Sequence, residues 1–480
     1  MKNKMLTPEQ AKKKELKRQK EIAKWEKEKA RPKRNYYFAY LVLIITLIYA
    51  TDEIASQIGT LMKTEIANDL FAKFGDSSVG ALEILSILVV PFQAIGLLYR
   101  PFADRFGRKK FLIINTFGMS FAMLIIFLSN NVALYFLGAC LVQFFIPHDM
   151  HVVYIMESSP SKHRARIYSA IKFIANMGVM LVPVLRRLLM EEASQWRNIY
   201  LIPAIVGIAT SLIALLTARE TDAFIDSRLK HLKMTEEEKK AEELSKSNGN
   251  AQGGLIPALK FAMKHKQLRW LYITATFLNL GFIASINYQV IMSYGYAESL
   301  YGKFTEEVMN AVSIGPVTTA LFLFPFGCSC AQVIMGFISD SKGRKTAAIV
   351  TAANCLASFI GFWFGAKLGW EPYLVGFLCG ACIGSFYSVN DVIIMMVGES
   401  APTNLRSSCM SAEFIVVAIG IALSYVISLP TVTILGNNFM GTIGFALLVP
   451  GFIAGLILLV KKTNETKGID MDTVTGLEWD

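Results

Sequence analysis

The chain has 480 residues, 53% of them hydrophobic and only 18% charged, with a net charge of +11. That length would suit two or three soluble domains, but the apolar excess excludes an ordinary soluble body and points to a membrane protein. Seven cysteines, all in or beside apolar runs, exclude a disulfide framework.

Residues 1–35 form a basic tail, in which positions 1–34 hold 14 Lys or Arg against 5 Glu. Thr7-Pro8-Glu9-Gln10 reads as a capping-box start and predicts a charged helix over about residues 8–30. Two readings stand: a solvated tail that enforces topology, or attraction to anionic membrane lipids. Nucleic-acid binding is not expected, because the tail has one aromatic, Trp25, and no recognisable module.

Twelve apolar runs follow, at 36–61, 80–99, 111–130, 132–156, 166–190, 197–217, 268–294, 310–338, 346–366, 372–397, 408–429 and 439–460, here called spans 1 to 12. Runs of this length match a hydrocarbon core about 30 Å thick. Without water to satisfy the backbone, each must be a helix. The first is too long for a signal peptide and lacks an A-x-A-like exit, so it is expected to remain as span 1.

After span 6 the pattern breaks into "TEEEKKAEELSKSNGNAQGG", a polar linker. The expected organisation is a six-helix bundle over 36–218, a linker over 219–267, a second bundle over 268–462 and a tail over 463–480. Basic clusters such as Arg105/Arg108/Lys109/Lys110, Lys342/Arg344/Lys345 and Lys461/Lys462 all fall on the side of the N-terminal tail. By the positive-inside rule both termini are cytoplasmic in a cell membrane, and the Lys-rich composition suits a bacterial inner membrane.

The two bundles repeat one plan. "GACLVQFFIPHDMHVVYIMESSPSKHR" (138–164) aligns with "GACIGSFYSVNDVIIMMVGESAPTNLR" (380–406), so that Asp149, Glu157, Pro160 and Arg164 recur as Asp391, Glu399, Pro402 and Arg406. "DRFGRKK" (104–110) likewise returns as "DSKGRKT" (340–346). Parallel six-helix repeats are a transporter plan, with the substrate site between the halves near the membrane midplane.

These motifs make the chain resemble the major facilitator superfamily of secondary transporters. That family carries G-x-x-x-D-R-x-G-R-K/R between helices 2 and 3 and again between 8 and 9, and E-x-x-P-x-x-x-R after helices 4 and 10. The matching residues are Asp104, Arg105, Gly107, Arg108 and Lys109; Gly336, Asp340, Gly343, Arg344 and Lys345; Glu157, Pro160 and Arg164; and Glu399, Pro402 and Arg406. Arg100 replaces the leading glycine of the first motif, and Ser341 stands where the second usually has arginine. The resemblance implies the all-α major facilitator fold, with twelve transmembrane helices in two six-helix pseudo-repeats. It also implies a cytoplasmic gate in which Arg105, Arg108 and Arg164 pair with Glu157, and Arg344 and Arg406 with Glu399, when that face is shut. The E-x-x-P-x-x-x-R pair is closer to the sugar-porter and organic-ion branches than to drug exporters.

Charges within the spans are functional candidates, since each costs about 2.5–3.5 kcal/mol or more at mid-membrane. Asp52 and Glu53 lie far along span 1, and Asp52 occupies the place of the proton-site aspartate of proton-coupled sugar porters. The alternative for Asp52 is a buried structural partner of a basic residue. His148, Asp149 and His151 lie in span 4, where those porters carry an arginine, and histidine titrates near neutrality. Metal binding by this cluster is not expected, because Asp149 is turned about 100° from His148 and no second ligand cluster exists. Arg186 and Arg187 could attract an anionic substrate, pair with Glu53 or snorkel, and Lys172 and Glu413 could form an interdomain ion pair or sit at solvated helix ends.

Gln57, Gln143, Asn176, Asn279, Asn287, Tyr288, Gln289, Asn390 and Asp391 are expected to line a cavity for a small polar solute. Gly376, Gly380 and Gly384 mark a face for close helix packing. The expectation is a monomeric secondary transporter, not an enzyme and without a cofactor or metal, that moves a sugar-like solute or organic ion by alternating access and proton symport into the cell. An excess of intramembrane acids tilts the expectation toward a neutral or cationic solute. An organic-ion uniporter or antiporter, or a non-transporting solute sensor, is the alternative.

Overall fold

A computed structural model describes residues 8–32, 36–99, 107–145, 150–158, 164–234, 255–402 and 405–469. Asp104, Arg105, His148 and Asp149 lie outside these residues, as do 235–254 of the linker. Among the described residues the regular structure is helical, with nine helices long and apolar enough to cross a membrane, or ten if a bent pair counts as one. The first half contributes Tyr37–Leu61, Ser78–Tyr99, Arg108–Phe127 and Asn198–Thr217 as spans 1, 2, 3 and 6. The second half contributes Arg344–Lys367, Pro372–Ser400, Arg406–Leu435 and Met440–Lys462 as spans 9 to 12.

The remaining spans are interrupted. Span 4 is described as Val132–Phe145 and Met150–Ser158, and span 5 as Arg164–Gly178 and Leu181–Leu189. Span 7 bends by 58° between Lys266–Ile286 and Tyr288–Tyr301. Span 8 runs from Glu306 to Lys342 through a π-helical turn at Ser313–Val317 that contains Pro316. A proline removes one ladder hydrogen bond, and neighbouring groups must then satisfy the freed carbonyl.

Glycines set the closest approaches. An added Cβ on Gly376, Gly380 or Gly384 of span 10 would lie 1.7, 2.0 or 2.5 Å from the carbonyl oxygens of Ala320, Phe324 or Cys328 on span 8. Three carbonyls on one helix face therefore receive three glycines on the other, the backbone-to-backbone packing that small residues permit in membranes.

The helix expected near residues 8–30 is present as Pro8–Ala30, and it docks on a linker helix, Asp222–Lys233, that follows span 6. Arg228 pairs with Glu21 and Lys233 with Glu26, each at 2.7 Å, while Trp25 packs edge-on against Phe224. The Arg219 guanidinium donates to the carbonyls of Glu28, Arg31 and Pro32. The exposed ion pairs contribute little individually. Buried aromatic contact and the Arg219 bonds to the helix end fix the arrangement.

Candidate transport pathway and its gates

At the face opposite the linker, the halves are joined by a buried ionic network. Arg186 of span 5 and Glu65, in the short helix Lys63–Leu70 after span 1, pair at 2.6 Å, and both side chains are fully buried. The Arg186 guanidinium also donates to Leu61 O, Ser313 O and Thr318 Oγ1. Glu65 accepts from Gln289 Nε2 and the Ser313 hydroxyl, both in the second half, and Gln289 accepts from the Thr64 hydroxyl. Lys63 pairs with buried Glu83 and donates to Ile286 O of span 7. A charge is stable at such a site only when paired and hydrogen-bonded. Both ion pairs lie within the first half, while the bonds to Ile286, Gln289, Ser313 and Thr318 exist only while the two halves touch.

Outside the seal lies a vestibule of about 800 Å³ lined by Glu65, Asp69, Glu192, Lys303, Glu306 and Asn310 among others. Further contacts between the halves flank it. Ala193 N donates to Asn310 Oδ1, and Val79 N to Asn437 Oδ1.

At the linker face each half carries its own clasp. Arg108 Nε donates to Glu157 in the first half and Arg344 Nε to Glu399 in the second, both at 3.1 Å. Arg344 also bonds Asp340, and Arg406 Nε donates to Gly398 O. Thr221 donates to Glu157, and Thr466 donates to Glu399. The preceding residues complete the symmetry. Glu220 accepts the backbone N–H of Lys109, and Glu465 accepts those of Arg344 and Lys345.

Gly107 and Gly343, at φ 114° and 109°, start spans 3 and 9, where a Cβ would sit 2.3 Å from Glu220 and Glu465 respectively. Both the positive φ and the carboxylate contact therefore require glycine.

Burial pushes the Glu220 carboxyl above its ordinary range, despite the N–H groups of Lys109, Thr221 and Arg108 that favour its charge. Burial also acts upward on Glu465, but the N–H groups of Lys467, Arg344, Thr466 and Lys345 outweigh it and hold that carboxyl below the ordinary range.

Between the halves, on the linker side of the seal, lies a cavity of about 500 Å³. Lys172 and Asn176 of span 5 face Ser329 and Gln332 of span 8 and Ser388 and Asp391 of span 10 across it. Asn176 Nδ2 donates to Gln332 Oε1 at 3.2 Å, one of the bonds between the halves at this level.

Of the other residues expected in the cavity, several are placed elsewhere. Gln289 belongs to the seal, and Tyr288 stacks on Phe324 with ring centroids 4.6 Å apart. Asn279 Nδ2 bonds Asn390 Oδ1 at 2.7 Å, tying span 7 to span 10. Asn287 is buried and caps its own helix through Ile283 O. Gln57 bonds Glu53 one turn away on span 1, and Gln143 is half-buried in span 4.

Asp52 is buried beside them, and buried His151 stacks on Tyr49, three residues before Asp52. Arg164 begins the first helix of span 5. Among the described residues no group of three or more His, Cys, Asp or Glu could hold a metal.

Three expectations change. Arg186 neither snorkels nor pairs with Glu53; its partner is Glu65, on the short helix that follows span 1. Lys172 and Glu413 form no ion pair among the described residues, since Lys172 lines the cavity and Glu413 is buried in span 11. The pairs of Arg108 and Arg344 are made within one half each while the cavity is present on their side, so a formed pair is not by itself a shut gate. The Glu-Thr dipeptides at 220–221 and 465–466 were an available signal for the clasps, being one more repeat between the halves.

Two pseudo-repeated halves, sealed together at one face and parted by a cavity near the other, define a multi-pass membrane carrier. The chain belongs to the Major Facilitator Superfamily, whose sequence profile matches residues 35–425. It is 25% identical over 415 residues to the cis,cis-muconate transport protein of Acinetobacter baylyi, covering 82% of this chain and 88% of that one. It is 29% identical over 179 residues to human solute carrier family 2, facilitated glucose transporter member 4, and the match spans only 34% of that relative and 36% of this chain. In fold it is similar to the inward open xylose transporter XylE from E. coli, with a TM-score of 0.60 at 15% identity, covering 92% of this chain and all of that one. It is also similar to an inward-facing bacterial homolog of the human lysosomal transporter Spinster, with a TM-score of 0.56 at 16% identity, covering 89% and 96%.

Proposed function

We propose that the protein moves a small polar organic solute into the cell by alternating access with proton symport, its linker face being cytoplasmic. The observation that carries this reading is the seal of Arg186, Glu65, Gln289 and Ser313, which joins the halves at one face while a cavity lined by both polar and apolar side chains separates them nearer the other. Such an arrangement is the inward-facing half of a transport cycle. Opening the outer face requires only that the seal part and the cavity side close.

The proton is assigned to Asp52, with Glu53, His148, Asp149 and His151 as further candidates for the relay. Asp52 is buried at membrane depth, where an ionisable group is functional by default. The clasps around Glu157 and Glu399 brace span ends within each half, so that each half moves as one body. The basic clusters at the linker face support a cytoplasmic side for both termini.

The test is proton movement in proteoliposomes containing a pH-sensitive dye, exposed to a panel of sugars and organic acids with and without an imposed pH gradient. Asp52→Asn is expected to abolish gradient-driven accumulation while retaining solute exchange. Accumulation unchanged by the substitution would remove Asp52 from the coupling, and flux indifferent to pH would make the protein a uniporter or exchanger.

A further inference from the structure

The cavity between the halves is lined by two charged groups, half-buried Lys172 and exposed Asp391, and by two buried hydroxyls, those of Ser329 and Ser388. Lys172 and Asp391 each stand roughly 12 to 14 Å from the linker-side ends of their helices, within membrane depth. Neither makes a hydrogen bond or salt bridge among the described residues, whereas Lys63, Glu65, Glu83 and Arg186 of the outer seal are all paired. The hydroxyls of Ser329 and Ser388, 2% and 1% exposed, line the same cavity and have no hydrogen-bond partner among the described residues. Buried hydroxyls without partners are uncommon and call for a ligand or an ordered water.

The groups are also spread over the two halves. Lys172 comes from the first, and Ser329, Ser388 and Asp391 from the second. A solute bridging them would bring the two halves' binding groups onto one molecule. The cavity's charge balance is one ammonium to one carboxylate, with Asp340 at its edge already engaged by Arg344.

Resting on the transport reading above, we infer that the solute is a hydroxylated carboxylate, of the sugar-acid class. Its carboxylate pairs with Lys172. Its hydroxyls donate to Asp391 and exchange hydrogen bonds with Ser329 and Ser388. A volume of about 500 Å³ accommodates a six-carbon chain with its water. An ammonium at the solute's anionic end gives selection by charge, and a carboxylate with two hydroxyls gives selection for donors. A plain sugar would leave Lys172 with Asp391, across the cavity, as its one counter-charge there, and an unhydroxylated diacid would bring a carboxylate against Asp391.

The experiment is counterflow in proteoliposomes with four labelled probes: D-gluconate, D-glucose, D-glucosamine and cis,cis-muconate. D-gluconate is expected to exchange best. Lys172→Gln should raise its half-saturation roughly ten- to a hundredfold, the range for losing a charged hydrogen bond, and Lys172→Arg should restore most of it. Ser388→Ala should cost several-fold for D-gluconate.

D-glucose carried as well as D-gluconate and indifferent to Lys172→Gln would overturn the inference. So would preference for D-glucosamine, preference for cis,cis-muconate with Ser388→Ala neutral, or counterflow of none of the four. The spacing of the outer gate, read spectroscopically without any solute, judges alternating access separately. A failure of the solute class is thereby distinguished from a failure of the transport reading.

Discussion

Replacing Glu65 by glutamine isolates the outer seal. The Arg186–Glu65 pair is fully buried on both sides, and Arg186 would keep its bonds to Leu61 O, Ser313 O and Thr318 while losing its counter-charge. Removing one partner of a buried ion pair costs about 3–5 kcal/mol, and the retained amide places this change at about 3. The pair lies within the first half, but parting the halves removes Gln289, Ser313 and Thr318 from around it and returns Arg186 to water, so the cost falls chiefly on the sealed state.

The ratio of sealed to open protein should therefore drop by roughly two decades, at 1.4 kcal/mol for each. Ser194 and Glu307 line opposite sides of the outer vestibule, and the native thiols are buried or half-buried, so cysteines at these two positions can carry spin labels. Pulsed dipolar spectroscopy is expected to show a single short separation in the parent and a second, longer one in Glu65→Gln. An unchanged distribution would refute the seal as the determinant of the sealed state. So would effects of Glu65→Gln and Arg186→Gln that simply add in the double variant.

The two linker-face clasps should respond to pH with opposite sign. Glu465, held below its ordinary value of 4.5, contributes stability that is present at pH 7 and lost as pH falls through its folded pKa, so Glu465→Gln should melt lower at neutrality and match the parent in acid. Glu220, raised above 4.5, contributes stability that is present in acid and lost as pH rises through its folded pKa; the parent should gain on Glu220→Gln on acidification, and melting curves with slopes of one sign would contradict both assignments. Gly376→Ala should lower the melting temperature of purified protein by an amount equivalent to about 1–3 kcal/mol, because its Cβ meets the Ala320 carbonyl at 1.7 Å. Gly336→Ala, with open space around the Cβ, should be neutral or slightly stabilising, and equal effects at the two glycines would refute the packing argument.

What could be read in advance follows from what repeats and what is periodic. Span 1 was legible to the residue at its far end, Leu61, because hydrophobicity alone terminates it. The pairing of Arg108 with Glu157 and Arg344 with Glu399 was legible because two copies of one motif fix the same neighbours twice. The seal was not. Lys63 and Glu65 lie just past the end of an apolar run, where sequence alone cannot separate a solvated loop from a buried network, and Arg186 and the Ile286 carbonyl, which they bond, are more than a hundred residues away. Ser329 and Ser388 were passed over for a related reason. A serine in an apolar helix ordinarily bonds its own backbone, and only the folded cavity shows these two without a partner.

The outer seal has a consequence for which substitutions the chain can accept. Three of its acceptors are backbone carbonyls, those of Leu61, Ile286 and Ser313, and each lies where a helix is interrupted: at the end of span 1, at the bend of span 7 and in the π turn of span 8. The interruptions release carbonyls from the helical ladder, and Lys63 and Arg186 take them up. A carbonyl is the same acceptor whatever side chain its residue carries. Leu61 and Ile286 can therefore vary among residues that preserve the local breaks, whereas Lys63, Glu65, Glu83 and Arg186 are confined to their charges. Divergence at this face should leave the charged residues fixed and let Leu61 and Ile286, which offer only a carbonyl, drift in identity.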